Sequence, residues 1–486
     1  MIYRLRPYQE ECVKSISDYI NSDRHDPVLV IGPVGCGKSI LIAEAARLMG
    51  DKTLVLQPSR ELLIQNYCKL TSYGITATIY SASCGKKELS NIIYATLGSI
   101  KKVVGQLKEM GIRNVLIDEA HAGYSPEDGS EFMTFMNELK PKKVIGFTAT
   151  PCRLKTMSIG QVSYSQLNFI TRMRPVYFKN LIHVIQVEEM IRQGFWTPLK
   201  YETWDFNGDA LKLNSNGSEY TAESISEAVR KNGLNNLILR RLMVLKDVCR
   251  SILVFMDSVE SCNTAAEWMN AKICAGMAEV VHGGTPKKQR EAIVEGFKSG
   301  KTKVVFNYSA LGTGFDHPGL DCVIVGRPTF SFSSFYQWLG RAVRIKDGKD
   351  SALVVDCCNN SSRFGDIRKL SIENYKGYGW GMFIGDKLIT NIPMGDKVTK
   401  TDLDIKAAKK DRRRGLAQGV TAAPVPGRPD HPLGSTVMTF GKYCGWMFHS
   451  IPVSYFKFIN ETFDWDNDRN KDIKEYIDFL IKNNRL

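Results

Sequence analysis

Short apolar runs alternate with amphipathic stretches along the chain up to about residue 360. The runs cover residues 28–31, 53–56, 76–80, 92–95, 115–117 and 144–147, and then 252–255, 278–281, 303–306, 322–325 and 352–355. Helical patterns lie between them, for example at 40–49, 261–272 and 287–298. Buried strands spaced by helices are typical of parallel sheets, which bind ligands at their carboxyl edges. The pattern therefore predicts an α/β protein with two tandem parallel-sheet lobes.

Other segments depart from this alternation. Pro7 suits the first turn of a helix that begins near it, and residues 187–195 have a helical pattern. The Asn, Gly and Ser residues of 206–219 indicate an irregular, exposed stretch. A basic run at 406–414 precedes a stretch rich in Ala, Pro and Gly, which is typical of a flexible linker. We predict lobes at 1–180 and 181–370, an irregular basic segment and linker at 371–435, and a small C-terminal module at 436–486.

Composition and charge narrow the choice of partner. Hydrophobic residues make up 43% and charged residues 24% of the 486, as in soluble globular proteins. The net charge of +14 favours an anionic partner, with nucleic acid first. The twelve cysteines include no C-x-x-C pair, so neither a zinc site nor a disulfide framework is expected. Since no signal peptide or transmembrane run is apparent, we expect no membrane partner and a location in the cytoplasm of a bacterium or a phage-infected host.

A glycine-rich loop is the strongest local signal. Residues 32–39 read G-P-V-G-C-G-K-S between a predicted strand and a predicted helix. In that setting the backbone N–H groups at Gly32, Gly35 and Gly37 can converge on phosphate oxygens. Lys38 adds a charge for the outer phosphates, and Ser39 can hold Mg²⁺. The alternative is a glycine-rich turn that only caps a helix, which the complete spacing and flanks disfavour.

Two carboxylates follow the strand at 115–117. Asp118 is placed to hold Mg²⁺ through water, and Glu119 to polarise the water that attacks the γ-phosphate. A D-E pair at a strand end is usually just solvated, but a neighbouring P-loop favours the functional interpretation. Thr148 and Thr150 follow the next strand, where their hydroxyls can bridge the nucleotide site to neighbouring groups.

Two arginines lie in the run at 337–344, which we predict to be helical. Arg341 and Arg344 are three residues apart and would share one helix face. From there both guanidinium groups can reach an ATP molecule held by the other lobe. The alternative is an exposed basic helix, which would be favoured if the arginines stood alone.

The ordered set of motifs resembles superfamily 2 helicases. The matching runs are L-R-P-Y-Q at 5–9, G-P-V-G-C-G-K-S at 32–39, Q-P-S-R-E-L at 57–62, T-L-G-S at 96–99, D-E-A-H at 118–121, T-A-T at 148–150, G-T-G-F-D at 312–316 and Q-W-L-G-R-A-V-R at 337–344. Within the superfamily the chain is most similar to RadD-like and phage UvsW-like DNA helicases and to the motor of type III restriction enzymes, notably at 190–198. RadD-like proteins continue into a cysteine-rich zinc region, which this sequence lacks.

The resemblance implies two RecA-like lobes, with ATP and Mg²⁺ between them and nucleic acid across both. It assigns adenine recognition to Gln9, phosphate binding to Lys38 and ribose binding to Asp316, and it counts Gly314 among the residues that bind the nucleotide. It also assigns the γ-phosphate to Arg341 and Arg344, and closure of the site to Gln337. The remaining implied roles are nucleic-acid contact for Ser59, Arg60, Thr96 and Ser99, and coupling for His121, Thr148 and Thr150.

The C-terminal module has a resemblance of its own. The run at 438–446 and the residues that follow are similar to the small module at the C-terminus of exonuclease X-like proteins. Lys442, Tyr443 and Trp446 would stack on bases and pair with phosphate. Alternatively, Trp446 and Tyr455 are core residues of a small fold.

Together these features predict an ATP-dependent DNA helicase or translocase acting in replication, recombination or repair. An RNA helicase is the nearest alternative, because the ATP motifs do not distinguish the two sugars. A second alternative is a catalytically idle, ATP-gated scaffold on nucleic acid, which the intact Lys38, Asp118, Glu119 and Arg344 disfavour. A restriction-type nuclease subunit is disfavoured too, since the tail has no convincing acidic-x-Lys cluster.

Overall fold

The computed structural model describes residues 4–159, 162–311, 315–376, 378–407, 432–436, 438, 443, 447–462, 471–484 and 486. They fall into two compact units. The first contains the chain up to Tyr375 and Gly379–Val398, and the second contains Lys376–Tyr378 and Thr399–Leu486. Both predicted lobes lie in the first unit.

The first lobe is built on an eight-stranded sheet in the order β10-β1-β7-β6-β2-β5-β3-β4. Its strands are parallel except for the short edge strand β4, which pairs antiparallel with β3. The strands are β1 (Val28–Ile31), β2 (Thr53–Leu56), β3 (Thr78–Ser81), β4 (Lys86–Lys87), β5 (Ile92–Ala95), β6 (Asn114–Ile117), β7 (Lys143–Thr148) and β10 (Asn180–Val184). The helices are α1 (Pro7–Asn21), α2 (Lys38–Met49), α3 (Arg60–Thr71), α4 (Leu97–Ile100), α5 (Val104–Glu109) and α6 (Glu131–Leu139).

The second lobe repeats the architecture with a six-stranded parallel sheet in the order β11-β16-β15-β12-β14-β13. Its strands are β11 (Leu199–Thr203), β12 (Ile252–Phe255), β13 (Ala278–His282), β14 (Val304–Tyr308), β15 (Cys322–Val325) and β16 (Ala352–Asp356). Its helices are α7 (Val187–Arg192), α8 (Ala222–Lys231), α9 (Leu234–Val248), α10 (Val259–Lys272), α11 (Lys287–Ser299), α12 (Phe332–Leu339) and α13 (Asn360–Phe364). The prediction of two tandem α/β lobes is confirmed.

Apolar runs locate these strands well because most of the strands are buried on both faces. All four residues of β1, β2, β12 and β15 are buried, as is typical of parallel sheets covered by helices. The predicted lobe boundary at residue 180 falls on the first residue of β10, a strand whose mixed exposure had hidden it from the pattern.

An antiparallel hairpin after the first sheet and an antiparallel run of three strands after the second were not predicted. The strands β8 (Cys152–Ile159) and β9 (Val162–Phe169) pair antiparallel directly after the first sheet. After the second sheet, β17 (Leu370–Tyr375) pairs with β18 (Gly379–Ile384), and β18 pairs with β19 (Lys387–Leu388). The prediction that the chain is irregular from residue 371 was therefore wrong for these strands, whose apolar Met382, Phe383 and Ile384 are buried. A short strand β20 (Val398–Thr399) and helical residues 400–407 follow, while most of the predicted linker lies outside the described residues.

The C-terminal unit has its own small core. Its helices α14 (Val453–Thr462) and α15 (Lys471–Lys482) pack through buried Phe456, Ile459, Tyr476 and Leu480. Among the described residues of the whole chain, no helix is long and apolar enough to cross a bilayer, and no cluster of three or more His, Cys, Asp or Glu residues is arranged to hold a metal ion.

A glycine in β7 provides a test of the packing in the core of the first lobe. A Cβ at Gly146 would lie 2.8 Å from Phe178, 2.9 Å from Ala120 and 2.9 Å from Leu29. Since packed neighbours surround it, Gly146→Ala should destabilise the fold by about 1–3 kcal/mol in equilibrium urea unfolding.

The matched control is Gly105→Ala, because Gly105 lies in α5 with nothing within 4 Å of the added Cβ. It should leave stability unchanged or raise it by up to ~1 kcal/mol. Equal losses at the two positions would contradict the packing described for β7.

Candidate nucleotide site

A cavity of about 280 Å³ lies between the two lobes. This volume is close to the lower end of the ~300–1,000 Å³ that small-molecule sites occupy. The first lobe contributes Arg6, Pro33, Val34, Gly35, Gly37, Lys38, Ser39, Gln65, Asp118 and Glu119, and the second lobe, with the segment before β11, contributes Phe195, Asp316, Gln337, Gly340, Arg341 and Arg344. The structure thus brings the P-loop, both carboxylates and both arginines to one cavity.

The P-loop turns from β1 into α2 through two left-handed glycines. Gly35 and Gly37 both have φ near +83°, a conformation that favours glycine. The N–H of Gly32 donates to the Thr148 carbonyl at 3.0 Å, which ties the start of the loop to β7. The loop therefore presents Lys38 at the first turn of a helix at the carboxyl edge of the sheet.

Gln9 lies beneath this loop. Its Nε2 donates to the Cys36 carbonyl at 2.8 Å, and its Oε1 accepts from the Arg6 N–H at 3.0 Å. The Tyr8 hydroxyl donates to the same Cys36 carbonyl at 3.1 Å. Gln9 thus fastens the start of α1 to the P-loop, and its contact with adenine stays a prediction.

Lys38, Asp118 and Glu119 form the charged centre. Lys38 Nζ lies 3.4 Å from Glu119 Oε1. Burial raises the pKa of Asp118, and the neighbouring Glu119 carboxylate raises it further, to about 7. Burial also opposes ionisation of Glu119, but the Lys38 ammonium and then His121 outweigh it and lower its pKa to about 2. Glu119 is therefore the carboxylate that stays ionised across the neutral range.

Asp118 is held by groups that the motifs did not reveal. Its Oδ2 accepts from Asn66 Nδ2 at 2.8 Å, and its Oδ1 accepts from the Glu119 N–H at 2.9 Å. Gln65 Nε2 donates to Ser39 Oγ at 3.3 Å. Carboxylate and hydroxyl oxygens are donors that Mg²⁺ prefers, so Asp118 and Ser39 fit that ion. Nothing in the spacing of α3 pointed to Gln65 or Asn66.

A chain of hydrogen bonds joins the two lobes beside this centre. His121 Nδ1 bonds with Thr148 Oγ1 at 2.8 Å and lies 3.3 Å from Glu119 Oε2. On its other side, His121 Nε2 bonds with Ser333 Oγ at 3.2 Å, and Ser333 Oγ bonds with Thr150 Oγ1 at 3.1 Å. Ser333, at the start of α12, was missed because it is 212 residues from His121 and carries no motif signal.

The prediction that residues 337–344 are helical was wrong beyond Leu339, where α12 ends. Gly340 follows at the point where the chain meets the P-loop, and a Cβ there would lie 2.6 Å from Val34 Cβ. The Thr197 N–H donates to the Val343 carbonyl at 2.7 Å and holds the chain out of helical conformation. Arg341 and Arg344 therefore do not share a helix face; the turn brings both to the cavity.

The two arginines differ in partner and depth. Arg341 is 9% exposed, and its Nη1 donates to the Phe315 carbonyl at 2.6 Å. The Arg344 side chain is 24% exposed and forms an ion pair with Asp316. Burial lowers the pKa of both to about 10, so both stay charged near neutral pH. Gly314 lies outside the described residues.

Two cavity-lining groups were not predicted. The Arg6 guanidinium lies over the Phe195 ring at 4.7 Å from its centroid, and both border the cavity. The next residue, Trp196, is buried and donates from Nε1 to the Val34 carbonyl at 2.7 Å. The aromatic pair at 195–196 thus connects the inter-lobe segment to the P-loop.

The predicted nucleic-acid residues lie at the same edge of the first sheet. Ser59 caps α3 by accepting the Leu62 N–H at 3.3 Å, and Arg60 begins that helix. Thr96 Oγ1 donates to Ser99 Oγ at 3.2 Å after β5.

In the C-terminal module, Tyr443 packs edge-on against Tyr455 at 4.8 Å, while Lys442 and Trp446 lie outside the described residues. The contacts of all these side chains with nucleic acid stay predictions.

Comparison with protein-family models gives two matches. Residues 2–153 match the model described as type III restriction enzyme, res subunit, and residues 235–346 match the helicase conserved C-terminal domain. The chain carries the paired domains of a superfamily 2 helicase. These matches fall on the first and second lobes, and their facing sides line the cavity described above.

Two relatives show how far the similarity extends. The putative ATP-dependent helicase IRC3 of Saccharomyces cerevisiae is 23% identical over 378 residues, covering 74% of this chain and 52% of the yeast protein. The 51.5 kDa protein of a Lactococcus phage is 24% identical over 332 residues, covering 68% of this chain and 65% of the phage protein. The chain therefore spans about half to two thirds of the length of these relatives.

Solved structures share the fold. The ATP-dependent Type ISP restriction-modification enzyme LlaBIII bound to DNA superposes with a TM-score of 0.54 at 15% identity, over 86% of this chain and 30% of that one. A fragment of a putative HsdR subunit of a type I restriction enzyme from Vibrio vulnificus superposes with a TM-score of 0.56 at 18% identity, over 75% and 66%.

The contact between the P-loop and the arginine turn yields a test of the helicase pair. Gly340→Ala should weaken the packing of the lobes because the added Cβ meets Val34 across the interface. We expect a loss of about 1–3 kcal/mol in unfolding and faster hydrogen exchange of the P-loop amides.

A Val34→Gly substitution removes the Cβ and both methyl groups that the new side chain would meet, so the double variant should be more stable than the sum of the single losses predicts. The control is Gly283→Ala, whose Cβ has nothing within 4 Å. Additive losses in the double variant would show that Val34 and Gly340 do not meet.

Proposed function

We propose that the protein is an ATP-dependent DNA helicase or translocase, which couples ATP hydrolysis to unwinding or remodelling of DNA in replication, recombination or repair. The observation that carries the proposal is the inter-lobe cavity, because phosphate-binding, metal-binding and cationic groups from both lobes border it. Hydrolysis that needs groups from both lobes can be coupled to lobe movement.

The side chains and backbone groups around the cavity are assigned the following roles. Lys38 and the P-loop N–H groups bind the phosphates, while Ser39 and Asp118 hold Mg²⁺, which neutralises phosphate charge when bound. Glu119 orients the attacking water, a role that its lowered pKa supports because the carboxylate stays ionised. Arg6 and Phe195 form a platform for the base beside Gln9.

The two arginines take different roles in this proposal. Arg341 is the deeper of the two and lies close enough to Glu119 for the carboxylate to act on its pKa, so it is assigned to the γ-phosphate. Arg344 and Asp316 are paired nearer the exposed side and are assigned to the ribose end of the site. Gln337 helps to close the cavity between them.

DNA is the proposed partner on two grounds. The net charge of +14 suits a polyanion, and a restriction-modification enzyme with the same fold was solved bound to DNA. RNA is the second candidate, because the chain is also 23% identical to the splicing RNA helicase PRP28 of Yarrowia lipolytica over 62% of its length. We also propose four finer assignments. They are a place among the RadD-like and UvsW-like helicases, the DEAH subtype, an exonuclease X-like C-terminal module and a cytoplasmic location.

The deciding experiment measures ATP hydrolysis with single-stranded DNA, forked DNA and RNA of matched sequence, followed by unwinding of the best activator. Stimulation by DNA well above that by RNA is the expected result. Equal or greater stimulation by RNA would favour the RNA helicase, and binding of ATP without hydrolysis under any of these conditions would favour the catalytically idle scaffold.

Replacing the proposed water-orienting residue should separate binding from chemistry. Glu119→Gln should slow ATP hydrolysis by about 10²–10⁴-fold while nucleotide still binds, since the amide cannot accept a proton from water. Lys38→Ala should lose nucleotide binding as well. Quench-flow hydrolysis and equilibrium binding of a fluorescent nucleotide make the comparison, and a near-normal rate for Glu119→Gln would disprove its role.

The two arginines should also differ. Arg341→Ala should slow hydrolysis by about 10³-fold or more, as loss of a transition-state arginine does. Arg344→Ala should mainly raise the KM for ATP, because its proposed contact is made in the ground state too. Steady-state kinetics at saturating DNA test this, and the reverse order of effects would exchange the two assignments.

A further inference from the structure

A second cavity of about 410 Å³ lies beside the nucleotide cavity, and its walls come from both lobes. The first lobe and its hairpin contribute Ser59, His121 and Arg153, and the second lobe contributes Ser331 and Ser333. Of these residues only Ser59 has a predicted ligand, nucleic acid, and no ligand is assigned above to the space that faces Glu119.

The two cavities share part of their lining. Leu62, Glu119 and Gln337 border both of them. The Glu119 carboxylate has one oxygen toward each side: Oε1 lies 3.4 Å from Lys38, which lines the first cavity, and Oε2 lies 3.3 Å from His121, which lines the second. A small product formed next to Glu119 therefore has the second cavity immediately behind that side chain.

The lining of the second cavity suits an oxyanion. Arg153 Nη2 donates to the carbonyls of Tyr124 at 2.6 Å and Ala120 at 3.3 Å, which holds the guanidinium in place. The serine hydroxyls of the lining add neutral donors. A guanidinium held in place near several hydroxyls is a common arrangement for binding phosphate.

We propose that this second cavity is the route by which inorganic phosphate leaves the site, with Arg153 as its transient binding group. The inference rests on the proposed hydrolysis of ATP, and it adds a binding site for the product. The nucleoside diphosphate stays in the first cavity, while phosphate moves past Glu119 and Gln337 into the second cavity.

Lobe movement would control this route. The bond between His121 and Ser333 and the bond between Ser333 and Thr150 cross from one lobe to the other in the wall of the cavity. When the lobes separate, these bonds break and the cavity widens. Departure of phosphate is thereby linked to opening of the cleft.

The test uses two variants of the full chain. Ala122→Met narrows the cavity, because Ala122 lines it and is only partly buried. Arg153→Gln removes the cation but keeps a hydrogen-bonding side chain. The control is Ala271→Met, which adds the same bulk on an exposed position of α10, away from the residues that line either cavity. Thermal melting confirms that each variant is folded.

Two measurements give the readout. Quench-flow follows ATP cleavage in a single turnover with DNA, and a fluorescent phosphate sensor follows release in the same turnover. For Ala122→Met we expect cleavage within about twofold of wild type and release slowed about tenfold or more. In a separate titration, calorimetry of inorganic phosphate into the ADP-bound protein should show affinity reduced about tenfold or more in Arg153→Gln. Ala271→Met should match wild type in both.

The outcomes separate the inference from the proposed function. Release that keeps pace with cleavage in Ala122→Met would overturn the exit route. Equal phosphate affinity in wild type and Arg153→Gln would overturn the binding role of the arginine. A wild-type protein that cleaves no ATP would overturn the proposed function, and the phosphate titration would still decide whether the cavity binds this anion.

Discussion

The contact between the tip of the P-loop and the turn after α12 holds the site together. Val34 packs on Gly340, and its carbonyl accepts a hydrogen bond from Trp196. Because glycine at 340 has no side chain, the backbones of the two lobes approach closely enough for Lys38 and Arg341 to border one cavity. A larger residue at this position would move the arginine turn away from the loop.

The charge states of Asp118 and Glu119 depend on the groups that the folded structure places beside them. Two carboxylates adjacent in sequence are buried together, which is unfavourable unless cations or hydrogen bonds compensate them. Lys38 and His121 stabilise the charge on Glu119, while Asp118 relies on Asn66 and a backbone N–H. The pair therefore separates into an ionised Glu119 and an Asp118 whose pKa is raised. Their different environments, and not their chemical type, give the two carboxylates different proposed roles.

The shared wall of the two cavities gives Glu119 a position between them. On one side it faces Lys38 and the phosphate-binding loop, and on the other it faces His121 and the bonds that cross to Ser333. The chemistry proposed for this carboxylate and the bonds that cross between the lobes thus involve the same few side chains. In the proposed cycle, this proximity would link the nucleotide state to lobe position if the two lobe arrangements differ in these contacts.

The sequence by itself determined the two α/β lobes, the order of most strands along the chain, the P-loop and the carboxylate pair. These features depend on local burial and spacing, as at β1 and β12, where all four residues are apolar and buried. Only the tertiary structure decided where α12 ends, since Gly340 and Thr197 contact partners far away in the chain. It alone showed that Asn66 bonds with Asp118 and that Ser333 and Arg153 line the second cavity, because long-range contacts between polar residues leave no periodic signal. The strands β8 and β9 were hidden for a related reason: their described side chains mix buried and exposed positions without the continuous apolar run that marks a central strand. The strand β18 was missed although Met382, Phe383 and Ile384 form a short buried apolar run.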